Sequence, residues 1–179
     1  LDELYERRFE RMNDFEKQTI LNFYTNYWLT LENYPEAIST FEQLLAIEEL
    51  REDTRLRTLR SLGQLTAAEE RWEDSIKYYE LWREASLEED DIVYRGLSYA
   101  HYQIDELPEA LPYWVAYMEL LLDQGEELGR DDYSYLNGLY FQLEDFESAL
   151  PLTKTMIMLF DEQTDWTNLS AVYASLDDE

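Results

Sequence analysis

The 179-residue sequence contains no cysteine and a single histidine, His101. Disulfide bonds and thiol chemistry are therefore excluded, and zinc or copper sites and Ser–His nucleophile pairs are not supported. The sequence also lacks a D-x-D-x-D-G calcium loop and a G-x-x-x-x-G-K-[ST] phosphate loop. We therefore predict no catalytic residue, no metal site and no cofactor, and the enzyme class is disfavoured.

Basic residues are scarce as well. The chain has 14 Lys and Arg against 41 Asp and Glu, which gives a formal net charge of −27. Such a charge repels nucleic acid and anionic membranes and favours cationic partners, although a solubilising surface is the simpler interpretation. No apolar run reaches the roughly 18 residues of a transmembrane helix. The hydrophobic share of 45%, with 15% aromatic residues, predicts a folded chain.

Within that composition, one local pattern occurs four times. Each copy has a small marker residue near the start of an amphipathic segment, at intervals of 38, 35 and 39 residues: Ala37, Ser75, Ala110 and Ala149. Twelve residues before each marker lies a second position that is usually small: Thr25, Gly63, Ser98 and Asn137. Three residues before each marker is an aromatic residue or leucine: Tyr34, Trp72, Leu107 and Phe146. Small residues let two helices cross closely, so the pattern predicts stacked helix pairs.

The clearest copy is the stretch 94–114. Its first helix is predicted to end near Ile104, Asp105 and Glu106 form a tight turn, and Pro108 opens the second helix. Such units resemble the tetratricopeptide repeat, a helix–turn–helix of about 34 residues. The resemblance implies an all-α fold, a right-handed superhelical solenoid of antiparallel helix pairs with about four and a half repeats. We expect one domain over residues 1–179, itself a fragment of a longer protein. It would hold a partial or capping helix at 1–12, repeats at 13–50, 54–85, 91–122 and 131–160, and an unpaired first helix at 164–179.

Several local features can be predicted from individual residues. Asn13 and Glu16 form a capping box, and the helix that starts at Pro35 ends near Leu50. Pro112 and Pro151 lie near helix starts and do not break their helices. His101 is a packed residue. The last helix exposes an apolar face, which we expect to self-associate or bind a neighbouring chain.

In the tetratricopeptide family the first helices line a concave groove that binds a protein segment. The resemblance places ten residues of this sequence there: Asn22, Asn26, Arg60, Gln64, Arg95, Tyr99, Tyr102, Ser134, Phe141 and Gln142. Amides can hydrogen-bond a peptide backbone, arginine can hold a carboxylate and tyrosine packs on flat surfaces. Alternatively, the groove's polarity simply follows its solvent exposure.

A narrower resemblance comes from the end segment DWTNLSAVYASLDDE, from AHYQIDELPEALPYW and from the loop LLDQGEE. These are similar to tetratricopeptide proteins encoded beside the TonB–ExbB–ExbD systems of gammaproteobacteria. The resemblance implies a periplasmic scaffold that supports TonB-dependent transport through contacts with a component of that system. One alternative is a cytoplasmic co-chaperone-type adaptor, since Arg60, Gln64 and Arg95 are similar to a carboxylate clamp. Two positions of that clamp, which should donate hydrogen bonds to the carboxylate, are occupied here by Gly96 and Asp131. Neither side chain can donate such a bond, which counts against this alternative. An all-α hydrolase with paired carboxylates is a remote alternative.

Overall fold

The computed structural model describes residues 9–177, which contain nine complete α-helices and no β-strand. In chain order they are α1 (Asp14–Thr30), α2 (Tyr34–Leu45), α3 (Glu52–Ala68), α4 (Trp72–Ala85), α5 (Asp91–Gln103), α6 (Leu107–Asp123), α7 (Arg130–Gln142), α8 (Phe146–Phe160) and α9 (Gln163–Asp177). Most of the helix predicted for residues 1–12 lies outside the described residues.

The chain divides into two compact units, residues 1–89 and 90–179. In the first unit α1 packs on α2, α2 on α3, and α3 on α4. In the second unit consecutive helices from α5 to α9 pack on one another in the same way. Each unit therefore contains two helix pairs, and α9 follows the last pair. The single domain expected over residues 1–179 stays a prediction.

Helix α1 begins as the sequence predicts. The Asn13 side chain accepts a hydrogen bond from the Glu16 backbone N–H at 2.9 Å, and Glu16 accepts one from the Asn13 N–H at 3.0 Å. The prediction for α2 was wrong at its far end, because α2 stops at Leu45 and not near Leu50. Ile47 and Leu50 are nevertheless buried. These two residues continue the spacing of apolar residues in α2, but they are buried from the turn that follows it. Hydrophobic periodicity alone cannot tell a buried turn from another helical turn.

Within each pair the two helices are joined by the same turn. The turn has one non-glycine residue with left-handed backbone, at φ 54°, 57°, 64° and 57°: Glu32, Glu70, Asp105 and Glu144. The next residue donates its N–H to a carbonyl five residues earlier, as Arg71 does to Thr66 at 2.8 Å and Glu106 to His101 at 2.9 Å. This is the Schellman motif, in which the left-handed position is usually glycine.

The marker residues lie where the helices of a pair cross. Ala37, Ser75, Ala110 and Ala149 are fully buried, and Gly63, Ser98, Thr25 and Asn137 on the first helices are buried too. At Gly63 an added Cβ would come within 2.5 Å of the Tyr79 ring. Asn137 accepts a hydrogen bond from the Thr153 hydroxyl at 3.0 Å. A larger residue is therefore accommodated at 137 by a polar partner on α8.

Two other local predictions are confirmed. Pro112 and Pro151 lie in the second turn of α6 and α8, and both helices continue past them. His101 is buried, stacks on Tyr113 with 5.6 Å between ring centroids, and has its Nδ1 2.7 Å from a Glu106 carboxylate oxygen. Among the described helices, none combines the length and apolarity that a bilayer span requires.

Candidate functional site

The predicted groove residues of the first unit lie on α1 and α3. Asn22, Asn26 and Gln64 are exposed, and Arg60 is half-buried. The Asn26 amide donates to the Asn22 carbonyl oxygen at 3.0 Å, within α1 itself. Arg60 also has an interaction partner. Two amides, of Asn22 and Gln64, are therefore the most accessible polar groups among these four.

The predicted residues of the second unit lie on α5 and α7. Arg95, Tyr99 and Tyr102 follow one another at four and three residues, so they share one face of α5. Arg95 and Tyr99 are exposed, whereas Tyr102 and Ser134 are half-buried. Gln142 is exposed at the end of α7.

The structure brings two of these residues together. The Gln142 amide nitrogen donates to the Tyr102 hydroxyl at 3.1 Å, although 40 residues separate them in sequence. The Tyr102 ring packs against Tyr135 with centroids 5.6 Å apart, and Tyr135 packs against Trp114 at 4.0 Å. These contacts join α5, α7 and α6, so the exposed ends of Tyr102 and Gln142 are held on a rigid aromatic base.

Tyr135 is the half-buried centre of this base. Its hydroxyl donates to the Ser98 carbonyl oxygen at 3.4 Å. Burial raises the pKa of Tyr135 to about 12, because the phenolate would lose its solvation. The phenol therefore keeps its proton and donates this hydrogen bond at any physiological pH.

Arg95 is the cation of this surface. Its guanidinium carbon lies 6.0 Å from the centroid of the Tyr117 ring. The Tyr117 hydroxyl donates to Asp132 at 3.2 Å, and burial, together with that carboxylate, raises the pKa of Tyr117. The guanidinium is thus positioned over a neutral ring while it remains exposed to solvent.

Not every predicted residue faces the same space. Phe141, near the end of α7, packs edge-on against Phe146, the first residue of α8, with ring centroids 5.7 Å apart. Gly138, midway along α7, has open space where a side chain would lie, with no atom within 4 Å of an added Cβ. We define the α5–α7 surface as Arg95, Tyr99, Tyr102, Ser134, Gly138 and Gln142. A polypeptide backbone can approach it most closely at Gly138.

Acidic residues are absent from this surface. Residues 92–104 and 133–143 contain no Asp or Glu, although residues 90–179 hold 20 acidic residues and only three basic ones. The same absence holds for residues 17–31 and 54–68 on α1 and α3. The acids therefore lie at helix starts, in turns and on second helices, and the first helices present neutral or basic faces.

Sequence reasoning missed the residues beneath the surface. Tyr135, Trp114 and Tyr117 were not among the predicted site residues, and neither was the ion pair of Arg130 with Asp165. The two guanidinium nitrogens of Arg130 lie 2.9 Å from the two oxygens of Asp165, whose side chain is fully buried. Tyr135 lies two residues before the small position Asn137, but the equivalent residues Phe23, Ser61 and Gly96 share no chemistry with it, so the sequence carried no signal for Tyr135.

No group of three or more His, Cys, Asp or Glu side chains within residues 9–177 is arranged to hold a metal ion. His101 is the single histidine of the sequence, and it is packed between Tyr113 and Glu106. The α5–α7 surface offers hydrogen-bond donors, one cation and aromatic faces.

No family model matches this sequence, and no curated protein matches it. Solved structures do. MamA is 18% identical with a TM-score of 0.68, over 90% of this chain and 84% of that one. YrrB, described as a TPR protein with an unusual peptide-binding site, is 14% identical with a TM-score of 0.68, over 89% and 77%. A tetratricopeptide repeat protein from Parabacteroides merdae is 12% identical with a TM-score of 0.69, over 90% and 62%. The predicted all-α, tetratricopeptide-type fold is confirmed.

Proposed function

We propose that this protein is a non-catalytic interaction scaffold that binds an extended segment of another protein on the α5–α7 surface. The observation that carries the proposal is the Gln142–Tyr102 contact on its aromatic base. It presents a phenol and an amide in fixed positions on an acid-free face. Preorganised donors reduce the entropy lost on binding.

Each part of the surface has a role in this proposal. The Gln142 and Tyr102 groups hydrogen-bond the peptide backbone, which passes over Gly138. Tyr99, 46% exposed, packs on an apolar side chain of the peptide. Arg95 pairs with a carboxylate of the bound segment. The peptide-binding site named for YrrB supports the general mode of binding. A shallow surface that orders a flexible peptide binds it with a Kd of roughly micromolar size.

The test uses a random peptide library selected on the whole chain, followed by titration of the selected peptides. We expect Tyr99→Ala, Tyr102→Ala and Gln142→Ala to weaken binding at least tenfold when combined. Leu122→Ala is the matched control, because Leu122 is a comparably exposed apolar residue on α6. Peptides that bind the triple variant and the wild type equally well would remove the α5–α7 surface from consideration.

The same library distinguishes the two units. Asn22→Ala with Gln64→Ala truncates the accessible amides of the first unit. If these two changes weaken binding and the triple variant does not, the binding surface lies on α1 and α3. The proposal for the second unit is then wrong, although an interaction scaffold remains.

We also propose that the partner is a component of a TonB–ExbB–ExbD system and that the protein acts in the periplasm. Only the resemblance of the end segment 165–179 and of the stretches near residues 100–127 supports this. Titration of the purified periplasmic parts of TonB and ExbD tests the partner. An alkaline phosphatase fusion to the full reading frame tests the compartment, because that enzyme becomes active only outside the cytoplasm.

The cytoplasmic co-chaperone-type adaptor remains the second candidate. In this candidate function a C-terminal carboxylate pairs with an arginine of one unit, either Arg60 on α3 or Arg95 on α5. A peptide with a free C-terminus that binds at least tenfold more tightly than its amide would favour that function. Equal binding of the two forms would leave the internal segment as the ligand.

A further inference from the structure

Tyrosine rings form the α5 side of the α5–α7 surface. Tyr99 is exposed and Tyr102 is half-buried, and the two lie about one turn apart on α5. Burial is the largest cause of the raised pKa of Tyr135, and the phenols of Tyr102 and Tyr99 add to it by electrostatic repulsion. The three phenol groups therefore lie near one another, with the Tyr135 ring packed against that of Tyr102.

The polar groups at the end of this surface are placed to donate hydrogen bonds outward. The Tyr102 hydroxyl accepts from the Gln142 amide nitrogen at 3.1 Å, so its own proton is left for a ligand. The amide nitrogen carries two N–H groups, and its bond to Tyr102 uses one of them. A phenolic O–H and an amide N–H are thus held side by side, and both match carbonyl oxygens of a bound segment.

The α7 side of the surface has an open place at Gly138. Tyr135 lies three residues before Gly138 and Gln142 four residues after it, so the three share one face of α7. Tyr135 and Gln142 both contact Tyr102, which puts the open place beside the Tyr102 side chain. Glycine weakens a helix interior, and no atom lies within 4 Å of an added Cβ to require it there. A ring of a bound segment can approach the α7 backbone at this point.

A prolyl residue matches all three features. Its ring packs on the faces of tyrosine rings and is compact enough to lie over Gly138. It has a carbonyl oxygen and no N–H, so its backbone needs only donors. A strand-like segment without proline would also bring N–H groups that need acceptors. Polyproline II helices have no internal hydrogen bonds, and grooves lined by aromatic residues bind them.

We propose that the segment bound at the α5–α7 surface is rich in proline and adopts a polyproline II helix. One proline ring packs over Gly138 against Tyr102, and neighbouring carbonyl oxygens accept from Tyr102 and Gln142. Arg95 pairs with a carboxylate that flanks the prolines. This inference rests on the proposed function, because it names the chemistry of the segment that binds there.

The probe is a fluorescein-labelled peptide of nine L-prolines with an aspartate at each end. A peptide with nine D-prolines has the same composition but forms the mirror-image helix, so its carbonyl groups do not match the donors. We expect fluorescence anisotropy to show binding of the L-peptide to the whole chain, with the D-peptide at least tenfold weaker. Replacement of both aspartates by asparagine should weaken binding at least threefold, because the contact with Arg95 loses its charge.

Three protein variants locate the contact. Tyr102→Phe keeps the ring and removes the donor, so it should weaken binding of the L-proline peptide at least threefold. Gly138→Leu fills the open place and should weaken binding at least tenfold. Ala68→Leu adds the same side chain at an exposed position of α3 and should leave binding unchanged. Circular dichroism checks the fold of each variant.

Three results would overturn the inference. They are equal binding of the L- and D-proline peptides, and unchanged binding of the L-peptide by either Gly138→Leu or Tyr102→Phe. The library-selected peptides separate this inference from the proposed function. If they bind and are lost in the triple variant while the L-proline peptide does not bind, only the proline-rich class is wrong. If both kinds of peptide bind the triple variant as tightly as the wild type, both proposals are wrong.

Discussion

At the scale of single residues, two glycines in equivalent helices have opposite surroundings. Gly63 lies under the Tyr79 ring, and an added Cβ would come within 2.5 Å of it. Gly138 has no atom within 4 Å of the same position. Both lie inside first helices, where glycine costs conformational entropy. One glycine is therefore required by packing, and the other is free of any such constraint.

We predict that Gly63→Ala destabilises the fold by about 1–3 kcal/mol, because the ring of Tyr79 cannot move without disturbing its buried neighbours. Gly138→Ala should instead stabilise it by about 0.5–1 kcal/mol, because alanine favours the helix and meets nothing. Urea denaturation of the two variants and the wild type measures both. Equal effects of the two changes would show that the Tyr79 contact does not constrain residue 63.

A second residue-scale prediction concerns Tyr135. Burial raises its pKa from 10.0 to about 12, so the folded state holds the phenolic proton more tightly than the unfolded state. The contribution to stability is complete below pH 10 and is lost as the pH rises towards 12. We expect Tyr135→Phe to reduce the slope of stability against pH in that interval. Absorbance at 295 nm should also lose one titrating phase in the same interval, which confirms the assignment.

At the scale of secondary-structure elements, the repeated turn is built on unfavourable backbone. Glu32, Glu70, Asp105 and Glu144 all adopt left-handed conformations that cost a side-chain-bearing residue about 1 kcal/mol. The turn persists because its backbone hydrogen bonds satisfy the last carbonyl groups of the first helix. Each turn also places the next aromatic or leucine residue at the first position of the second helix.

We predict that Glu70→Gly stabilises the chain by about 0.5–1 kcal/mol, because glycine adopts the left-handed conformation without a steric penalty. Glu69→Gly is the matched control, since Glu69 is the adjacent exposed residue with φ −91°. It removes the same charge but relieves no strain, so it should not stabilise. Urea midpoints of both variants decide the matter. A gain in the control as large as in Glu70→Gly would attribute the effect to charge.

At the scale of the whole molecule, the charge is distributed unevenly. Residues 1–89 carry 11 basic and 21 acidic residues, whereas residues 90–179 carry three and 20. The basic residues of the second half are Arg95, Arg130 and Lys154, and the last two contact Asp165 and the Tyr173 ring. Self-repulsion among the acids therefore opposes folding more strongly in the second half.

We predict that salt stabilises this protein. Raising the ionic strength from about 0.01 M to about 0.15 M shortens the screening length from roughly 30 Å to roughly 8 Å. The thermal midpoint should rise by several degrees over this range as the repulsion weakens. A variant with Glu88→Gln, Glu126→Gln and Glu127→Gln, all at exposed loop positions, should show a smaller rise. A midpoint that falls with salt would mean that attractive ion pairs outweigh the repulsion.

By itself the sequence determined the class of fold. Four markers at near-constant spacing, a capping box at Asn13 and prolines near helix starts are local signals, and each depends on residues a few positions apart. The ten groove residues came from the resemblance to the tetratricopeptide repeat, and their role stays a prediction. The length predicted for α2 was too great, because the apolar residues Ile47 and Leu50 are buried although they lie beyond the helix end at Leu45.

Only the tertiary structure decided how those residues combine. The Gln142–Tyr102 contact spans 40 residues, the Arg130–Asp165 pair spans 35, and Tyr135 on α7 contacts both α5 and α6. The backbone strain at Glu70 and the open space at Gly138 also became visible only in three dimensions. The physical reason is that such contacts depend on how helices cross. A sequence pattern defines the face of one helix, but the partner on that face comes from the packing of another.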